Sequence, residues 1–206
     1  MMEERIFTEN KLVIASHNKG KIVEIKELLS PLNIEILSAY DFDIEEPEES
    51  GTTFEENALI KSSFVTQKTG LPSISDDSGI CFYDLGGDPG IYSARWAGLN
   101  KDFNLAMSNI NDAIKEKKNP NYECHFICSL SICWPDGYDV TVSGQIKGKF
   151  SWPPKGDKGF GYDPIFKPLG YDITFGQMDP ILKHKISHRS LAFNKLINLC
   201  FPSLKC

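Results

Sequence analysis

The sequence predicts an α/β chain, because buried-type strands and one-sided apolar helices both occur along it. Residues 12–15 form a short apolar run that is typical of a buried strand, and an amphipathic helix follows at once. Two longer strand-like segments, residues 122–134 and 138–150, flank a Pro-Asp-Gly turn and predict a β-hairpin. With 206 residues, the chain is long enough to bury a core, and we expect one domain over residues 1–206.

Composition excludes several classes of protein. The sequence is 41% hydrophobic and 24% charged, as in an ordinary globular protein. A net charge of -6 argues against a nonspecific nucleic-acid binder. No apolar run approaches the roughly 18 residues that span a bilayer, and the acidic start is unlike a signal peptide. Cys124, Cys128 and Cys133 lack the close spacing of a zinc site, which indicates buried thiols in a reducing cytoplasm.

A polar turn connects the first strand to the first helix. In that helix Ile22 and Ile25 face inward, and Glu24 is expected to face solvent. A strand, polar turn and helix start direct backbone N–H groups toward an anion, although the same residues could be plain helix caps and solvated lysines. There is no Walker A loop and no GxGxxG pattern. The turn consists of Ser16, His17, Asn18, Lys19, Gly20 and Lys21.

An acidic loop precedes the second helix. Residues 45–49 are mostly glutamate, and such a run is usually solvated. Thr52 and Thr53 each have a glutamate three residues later, which is a doubled capping-box signal, and Gly70 ends the helix. Lys61 lies among apolar neighbours in the middle of this helix, and its pattern favours a side chain that extends out to solvent.

Two adjacent carboxylates, Asp76 and Asp77, follow a short apolar run and precede Ser78 and Gly79. A pair of aspartates at the exposed end of a strand could hold Mg²⁺, which prefers carboxylate oxygens, water and phosphate. Asp-Ser-Gly is also an ordinary β-turn sequence, and on the local pattern alone the turn is favoured.

The chain then continues through a glycine-rich turn at residues 85–90 and a helix predicted over residues 102–117, whose core face includes Leu105 and Ile110. After the hairpin, Phe160, Gly161, Tyr162 and Asp163 lie in a glycine-aromatic loop. Exposed rings in such a loop can stack on a nucleobase, or they can simply anchor the loop.

The last informative segment begins a helix. Ser187 is a natural N-cap, so His188 and Arg189 fall in the first turn, where the helix macrodipole disfavours cations. This unfavourable placement suggests that the two side chains meet an anionic or oxygen-rich ligand.

Four motifs occur in one order: Ser16-His17-Asn18-Lys19-Gly20-Lys21, Ser75-Asp76-Asp77-Ser78-Gly79, Gly159-Phe160-Gly161-Tyr162-Asp163-Pro164, and Ile186-Ser187-His188-Arg189. Together they closely resemble the inosine triphosphate pyrophosphatase family, which hydrolyses ITP, dITP and XTP. The resemblance covers residues 12–199. It implies a two-lobed α/β fold with a long mixed β-sheet flanked by helices, and a substrate cleft between the lobes. The sequence departs from the usual family pattern at His17 and at residues 179–182.

The resemblance also implies roles for individual residues. Asp77 would be the general base or would orient the attacking water. Mg²⁺ would be held by Asp77 with Glu48 or Glu49, assisted by Asp76. Residues 16–21, Lys61 and Ser78 would bind the triphosphate. The base and sugar would be enclosed by Phe160, Gly161, Tyr162, Asp163, Lys183, His188 and Arg189.

The expected product is a nucleoside monophosphate plus pyrophosphate, and the expected role is to cleanse the nucleotide pool. Cationic donors such as Arg189 or Lys183 would favour a 6-oxo purine over adenine. The resemblance further implies a homodimer with a purine nucleoside triphosphate as substrate. Two alternatives are a pyrophosphatase for modified pyrimidine triphosphates and a nucleotide-binding module without turnover.

Overall fold

The computed structural model describes residues 5–202, and within them a single six-stranded sheet has the order β2-β1-β3-β4-β5-β6. β1 pairs in parallel with both β2 and β3, whereas β5 and β6 are antiparallel, so the sheet is mixed as predicted. The strands are β1 (Lys11–Ile14), β2 (Glu35–Ser38), β3 (Ser73–Phe82), β4 (Glu123–Cys133), β5 (Asp139–Phe150) and β6 (Phe166–Pro168).

Three helices begin directly after a residue whose side chain caps them. Asn18, Thr53 and Asp102 each accept a hydrogen bond from a backbone N–H in the first turn of the helix that follows. Gly70 ends the second helix in the left-handed region, with φ of 68°. The α-helices of residues 5–202 are α1 (Lys19–Leu29), α2 (Phe54–Thr69), α3 (Ser93–Trp96), α4 (Phe103–Lys115), α5 (Pro180–Ile186) and α6 (His188–Cys200).

Backbone contacts divide the chain into two compact units, each built from separate segments. Unit 1 contains residues 5–77, 128–144 and 189–202, and unit 2 contains residues 78–127 and 145–188. Each unit has its own apolar core. In unit 1, Leu12 and Ile74 pack with Leu196, and in unit 2, Ile80 and Ile110 pack with Phe166. Burial of this apolar surface is the main favourable contribution to folding.

Two details of the predicted elements are wrong. Leu105 was expected in the core face of α4, but its side chain is 54% exposed, and Met107 is buried instead. The aspartate pair was expected at the exposed end of a strand, but β3 continues past it to Phe82 without interruption. No helix within residues 5–202 has the length and the apolar character needed to cross a bilayer.

Candidate active site

Asp76 and Asp77 lie in the middle of β3, not in a turn at its end. The strand has 10 residues, and the two side chains are only 1% and 5% exposed. The β-turn interpretation is therefore wrong. Because successive side chains of a strand point to opposite faces, the two adjacent carboxylates meet different partners.

Asp76 is surrounded by cations of unit 1. Its Oδ2 lies 3.2 Å from Lys21 Nζ and 3.1 Å from Arg189 Nη2. Burial alone would raise the pKa of Asp76, but the positive charges of Lys21 and Arg189 outweigh it and hold the pKa well below its usual range. Asp76 is therefore ionised at neutral pH and serves as a fixed negative charge.

Arg189 pairs with two protein carboxylates. Its side chain is 2% exposed, and besides Asp76 it donates from Nη1 to Glu24 on α1. Glu24 is thus turned toward Arg189, contrary to the expectation that it faces solvent. Burial would lower the pKa of Arg189, yet Asp76 and Glu24 raise it. The unfavourable cation at the start of α6 is compensated inside the fold.

Asp77 belongs to a second group, centred on Lys61. Lys61 is only 3% exposed, so the prediction that it extends out to solvent is wrong. Its Nζ lies 2.5 Å from Glu49 Oε1 and 3.6 Å from Asp77 Oδ1. Asn57 Nδ2 also donates to Asp77 Oδ2 at 3.2 Å. A lysine and two carboxylates therefore share one small volume.

The electrostatics of the Lys61 group differ from those of Asp76. Burial raises the pKa of Asp77, and the charges of Glu49 and Asp76 add to this effect against the opposing charges of Lys61 and Lys21. Burial would lower the pKa of Lys61, but Asp77 and Glu49 raise it above its ordinary value. Asp77 is thus a more basic carboxylate than Asp76, as a proton acceptor requires.

The acidic loop brings one of its glutamates to this group. Glu49 is partly buried against Lys61, whereas Glu48 is exposed. No group of three or more His, Cys, Asp or Glu side chains within residues 5–202 is arranged to hold a metal ion. Asp77 and Glu49 nevertheless provide two carboxylates, both within 3.6 Å of Lys61 Nζ.

The polar turn before α1 has the predicted local structure. Asn18 Oδ1 caps α1 by accepting from Lys21 N at 3.2 Å, and Ser16 Oγ accepts from Asn18 N at 3.2 Å. Lys19 and Gly20 form the first turn of the helix, and the Lys19 side chain is exposed. The turn therefore presents a helix start and the exposed Lys19 beside the partly buried Lys21.

In unit 2, Asp163 organises the glycine-aromatic loop. Its Oδ2 accepts from Phe160 N at 2.8 Å and from Lys183 Nζ at 2.7 Å. Gly159 is required here, because a Cβ atom at that position would lie 2.1 Å from Asp163 Oδ2 and φ is +77°. Lys183 Nζ lies 5.0 Å from the centre of the Phe160 ring.

The two aromatic residues of this loop differ in exposure. Phe160 is 38% exposed and is available for stacking, but Tyr162 is 3% exposed and donates from its hydroxyl to Ser93 O at 2.8 Å. Tyr162 is therefore an anchor, and the expectation of exposed rings holds only for Phe160. Gly161, between the two aromatic residues, has a φ of 65°. A cavity of about 310 Å³ beside the loop is lined by residues that include Phe103, Phe160 and Gly161.

His188 and Ser78 complete the predicted set. His188 is 6% exposed and stacks on Phe126, with ring centres 4.8 Å apart and planes at 10°. Ser78 directly follows Asp77 in β3 and is partly exposed. A separate cavity of about 570 Å³ in unit 1 is lined by residues such as Arg5 and Lys11 and contains none of the predicted site residues.

Two residues of the site were not singled out in the sequence. Asn57 precedes Lys61 by four positions, so both lie on one face of α2, and that spacing is a signal for Asn57. Glu24 pairs with Arg189 across 165 positions, and no local pattern predicts such a contact.

The fold and these groups of charges define an α/β protein with a buried carboxylate–lysine site. Residues 12–199 match the model of the Ham1 family, and the chain belongs to that family. It is 45% identical over 199 residues to a dITP/XTP pyrophosphatase of Zymomonas mobilis, covering 96% of this chain and 95% of the relative. A relative from Agrobacterium fabrum with the same name is also 45% identical, over 93% of this chain and 96% of its own length.

Solved structures agree with the family assignment. A HAM1 protein from Coxiella burnetii superposes with a TM-score of 0.86 at 33% identity, covering 92% of this chain and 98% of the other. A nucleoside-triphosphatase / dITP/XTP pyrophosphatase from Mycobacterium abscessus gives a TM-score of 0.76 at 34% identity, over 91% and 98% of the two chains.

Proposed function

We propose that this chain is a nucleoside triphosphate pyrophosphatase that converts dITP, XTP and ITP to the monophosphate and pyrophosphate. The observation that carries the proposal is the buried group of Lys61, Asp77 and Glu49 in a Ham1-family chain. Curated relatives at 45% identity are named dITP/XTP pyrophosphatases, which supports this substrate class. The cellular role would be removal of non-standard purine nucleotides.

Asp77 is the proposed catalytic residue. Its raised pKa makes it a better proton acceptor than an exposed aspartate, and Asn57 fixes the orientation of the carboxylate. Asp77 would align a water molecule for attack and accept its proton. This route needs no covalent intermediate on the enzyme.

Mg²⁺ is the proposed cofactor, and the residues present fit it. Mg²⁺ is usually held in proteins by one or two carboxylates, with substrate phosphates and water completing the octahedron. Asp77 and Glu49 supply two such carboxylates, whereas Glu48 is exposed and Asp76 is already neutralised by Lys21 and Arg189. The bound ion would supply charge stabilisation for the pyrophosphate leaving group.

The triphosphate would be held by residues 16–21, Lys61 and Ser78, through backbone N–H groups and ammonium groups. For the base, Phe160 offers an exposed ring for stacking, and Lys183 offers a donor for a 6-oxo group. Adenine has an amino group at that position, so it would leave a buried donor unpaired. The predicted contacts of Tyr162, His188 and Arg189 with the base remain proposals.

We further propose a cytoplasmic homodimer. This follows from the family resemblance, and it is checked by measuring the molar mass in solution with light scattering. A mass near 46 kDa, twice the 23.1 kDa of one chain, would support it, and 23.1 kDa alone would reject it.

The proposed function is tested with dITP, XTP, ITP, GTP, ATP and a modified pyrimidine triphosphate, each assayed with Mg²⁺ and with EDTA. We expect Mg²⁺-dependent release of pyrophosphate from the first three. ATP should be at least about tenfold slower, because its base leaves one buried donor unpaired. GTP should also be slower, because its base carries a 2-amino group that the base of ITP lacks. Release of orthophosphate would place the cleaved bond elsewhere. A preference for the pyrimidine would reject the purine assignment, and absence of turnover on the whole panel would reject the enzyme.

A further inference from the structure

Two hydrogen bonds in opposite directions connect the polar turn before α1 to the segment after β2. The Tyr40 hydroxyl donates to the backbone oxygen of His17 at 2.9 Å. The His17 ring nitrogen Nε2 lies 2.8 Å from the backbone oxygen of Ile44. The two rings also meet edge to face, with centres 4.9 Å apart and planes at 69°. We name this arrangement of His17, Tyr40 and Ile44 the clasp.

The hydrogen bond to Ile44 requires a proton on Nε2 of His17. A carbonyl oxygen can only accept, so Nε2 must carry the proton. Phenylalanine at this position would keep the ring contact and lose the donor. Glutamine would retain an amide N–H at about the same distance from the backbone. A comparison of histidine, phenylalanine and glutamine at position 17 therefore separates the effect of the hydrogen bond from the effect of ring packing.

The segment after β2 has hydrogen bonds of its own. Ser38 donates from both its backbone N and its hydroxyl to Asp41 Oδ2, at 2.7 and 2.9 Å. Ile44 N donates to Ala39 O at 3.2 Å, and this hydrogen bond closes the short 3-10 turn. A change at His17 or Tyr40 would therefore release the whole segment that precedes residue 45.

The acidic loop, residues 45–49, starts directly after Ile44. Two contacts hold its other end. Lys61 Nζ lies 2.5 Å from Glu49 Oε1, and Gly51 N donates to Asn57 Oδ1 at 2.9 Å. The clasp thus fixes the first end of the loop, and α2 fixes the second. The loop contains four glutamates whose mutual repulsion would extend it if one end were released.

We infer that His17 and Tyr40 are positioning residues whose clasp holds the acidic loop against the phosphate-binding turn and so places Glu49 for the cation. The inference rests on the proposed function, because the role of Glu49 does. The side chain of His17 is not a contact to substrate in this account, and His17 belongs to the phosphate-binding turn through its backbone N–H alone. The His17 ring holds the start of the acidic loop in place, and the loop in turn positions Glu49 for the cation.

The first test needs no substrate and no metal. Hydrogen–deuterium exchange is followed in the peptide covering residues 43–51 for the wild type, His17→Phe, Tyr40→Phe and His17→Gln. Loss of one net hydrogen bond should speed exchange there by about threefold to tenfold in both phenylalanine variants, with His17→Gln close to wild type. Tyr83→Phe is the matched control, because Tyr83 is 47% exposed and Tyr40 is 50% exposed. Unchanged exchange in both phenylalanine variants would overturn the clasp.

The second test measures the cation site directly. Mn²⁺ binding in the absence of nucleotide, and the Mg²⁺ concentration for half-maximal pyrophosphate release, should both weaken by about threefold to tenfold in Tyr40→Phe and His17→Phe. KM for dITP at saturating Mg²⁺ should change less than twofold. A rise in KM with unchanged metal binding would make His17 a substrate contact and overturn the inference. If the wild type has no turnover, the proposed function fails. Hydrogen–deuterium exchange and Mn²⁺ binding would still show whether the clasp positions the acidic loop.

Discussion

Replacement of Asp76 by asparagine tests the buried charge cluster. The variant removes the charge that faces Lys21 and Arg189, two cations whose side chains are 15% and 2% exposed. Leaving buried charges without their partner typically costs about 3–5 kcal/mol. Arg189 keeps Glu24, and Lys21 can reach water, so the lower end of the range applies. We expect Asp76→Asn to lower the free energy of unfolding by about 3 kcal/mol at neutral pH.

The pH dependence of this loss follows from the direction of the pKa shift. The pKa of Asp76 is lowered in the fold, so its contribution to stability is fully present above the unfolded value, which is about 3.9. The contribution is lost as the pH falls below that value toward the native pKa. The difference in unfolding free energy between wild type and Asp76→Asn should therefore be constant from about pH 5 to about pH 8. It should narrow below about pH 4.

Urea unfolding followed by circular dichroism measures this difference at several pH values. Asp112→Asn is the control, because Asp112 is 66% exposed in its pair with Lys115 and such surface pairs contribute little. We expect the control to stay within about 0.5 kcal/mol of wild type. An Asp76→Asn variant no less stable than Asp112→Asn at neutral pH would refute the reasoning.

Three further outcomes are expected. Lys61→Met should reduce kcat/KM by about a hundredfold or more. It should also move the acidic limb of the pH–rate profile to higher pH, because the cation that lowers the pKa of Asp77 is removed. Profiles of kcat/KM against pH measure both effects. Gly159→Ala should raise KM for dITP, because the new Cβ collides with Asp163; an unchanged KM would contradict this role of the loop. Asn18→Ala should cost about 1 kcal/mol in urea unfolding through loss of the α1 cap.

Local features of the fold were predictable from the sequence. Asn18 and Thr53 act as N-caps because their side-chain oxygens reach backbone N–H groups only a few positions away. Gly70 ends α2 because it adopts a positive φ without steric cost. The hairpin follows from turn residues between two strand-like runs, and Trp134 N indeed donates to Tyr138 O at 2.9 Å.

The charge partners in the site were not predictable in this way. Lys61 resembles a lysine that reaches solvent, because its buried partners Glu49 and Asp77 come from other parts of the chain. The two carboxylate partners of Arg189, Glu24 and Asp76, were not predicted because both are remote from it in sequence. Local sequence patterns report capping and periodicity, whereas ion pairing depends on tertiary contacts that only the fold creates.

The measurement that tests the central claim most directly is kcat/KM for pyrophosphate release from dITP by Asp77→Asn, together with its free energy of unfolding. The raised pKa of Asp77 means that its ionised carboxylate does not stabilise the fold at neutral pH, in contrast to Asp76. The account predicts a loss of activity of about a hundredfold or more, with stability within about 1 kcal/mol of wild type or above it. Turnover close to wild type in a folded Asp77→Asn variant would contradict the account.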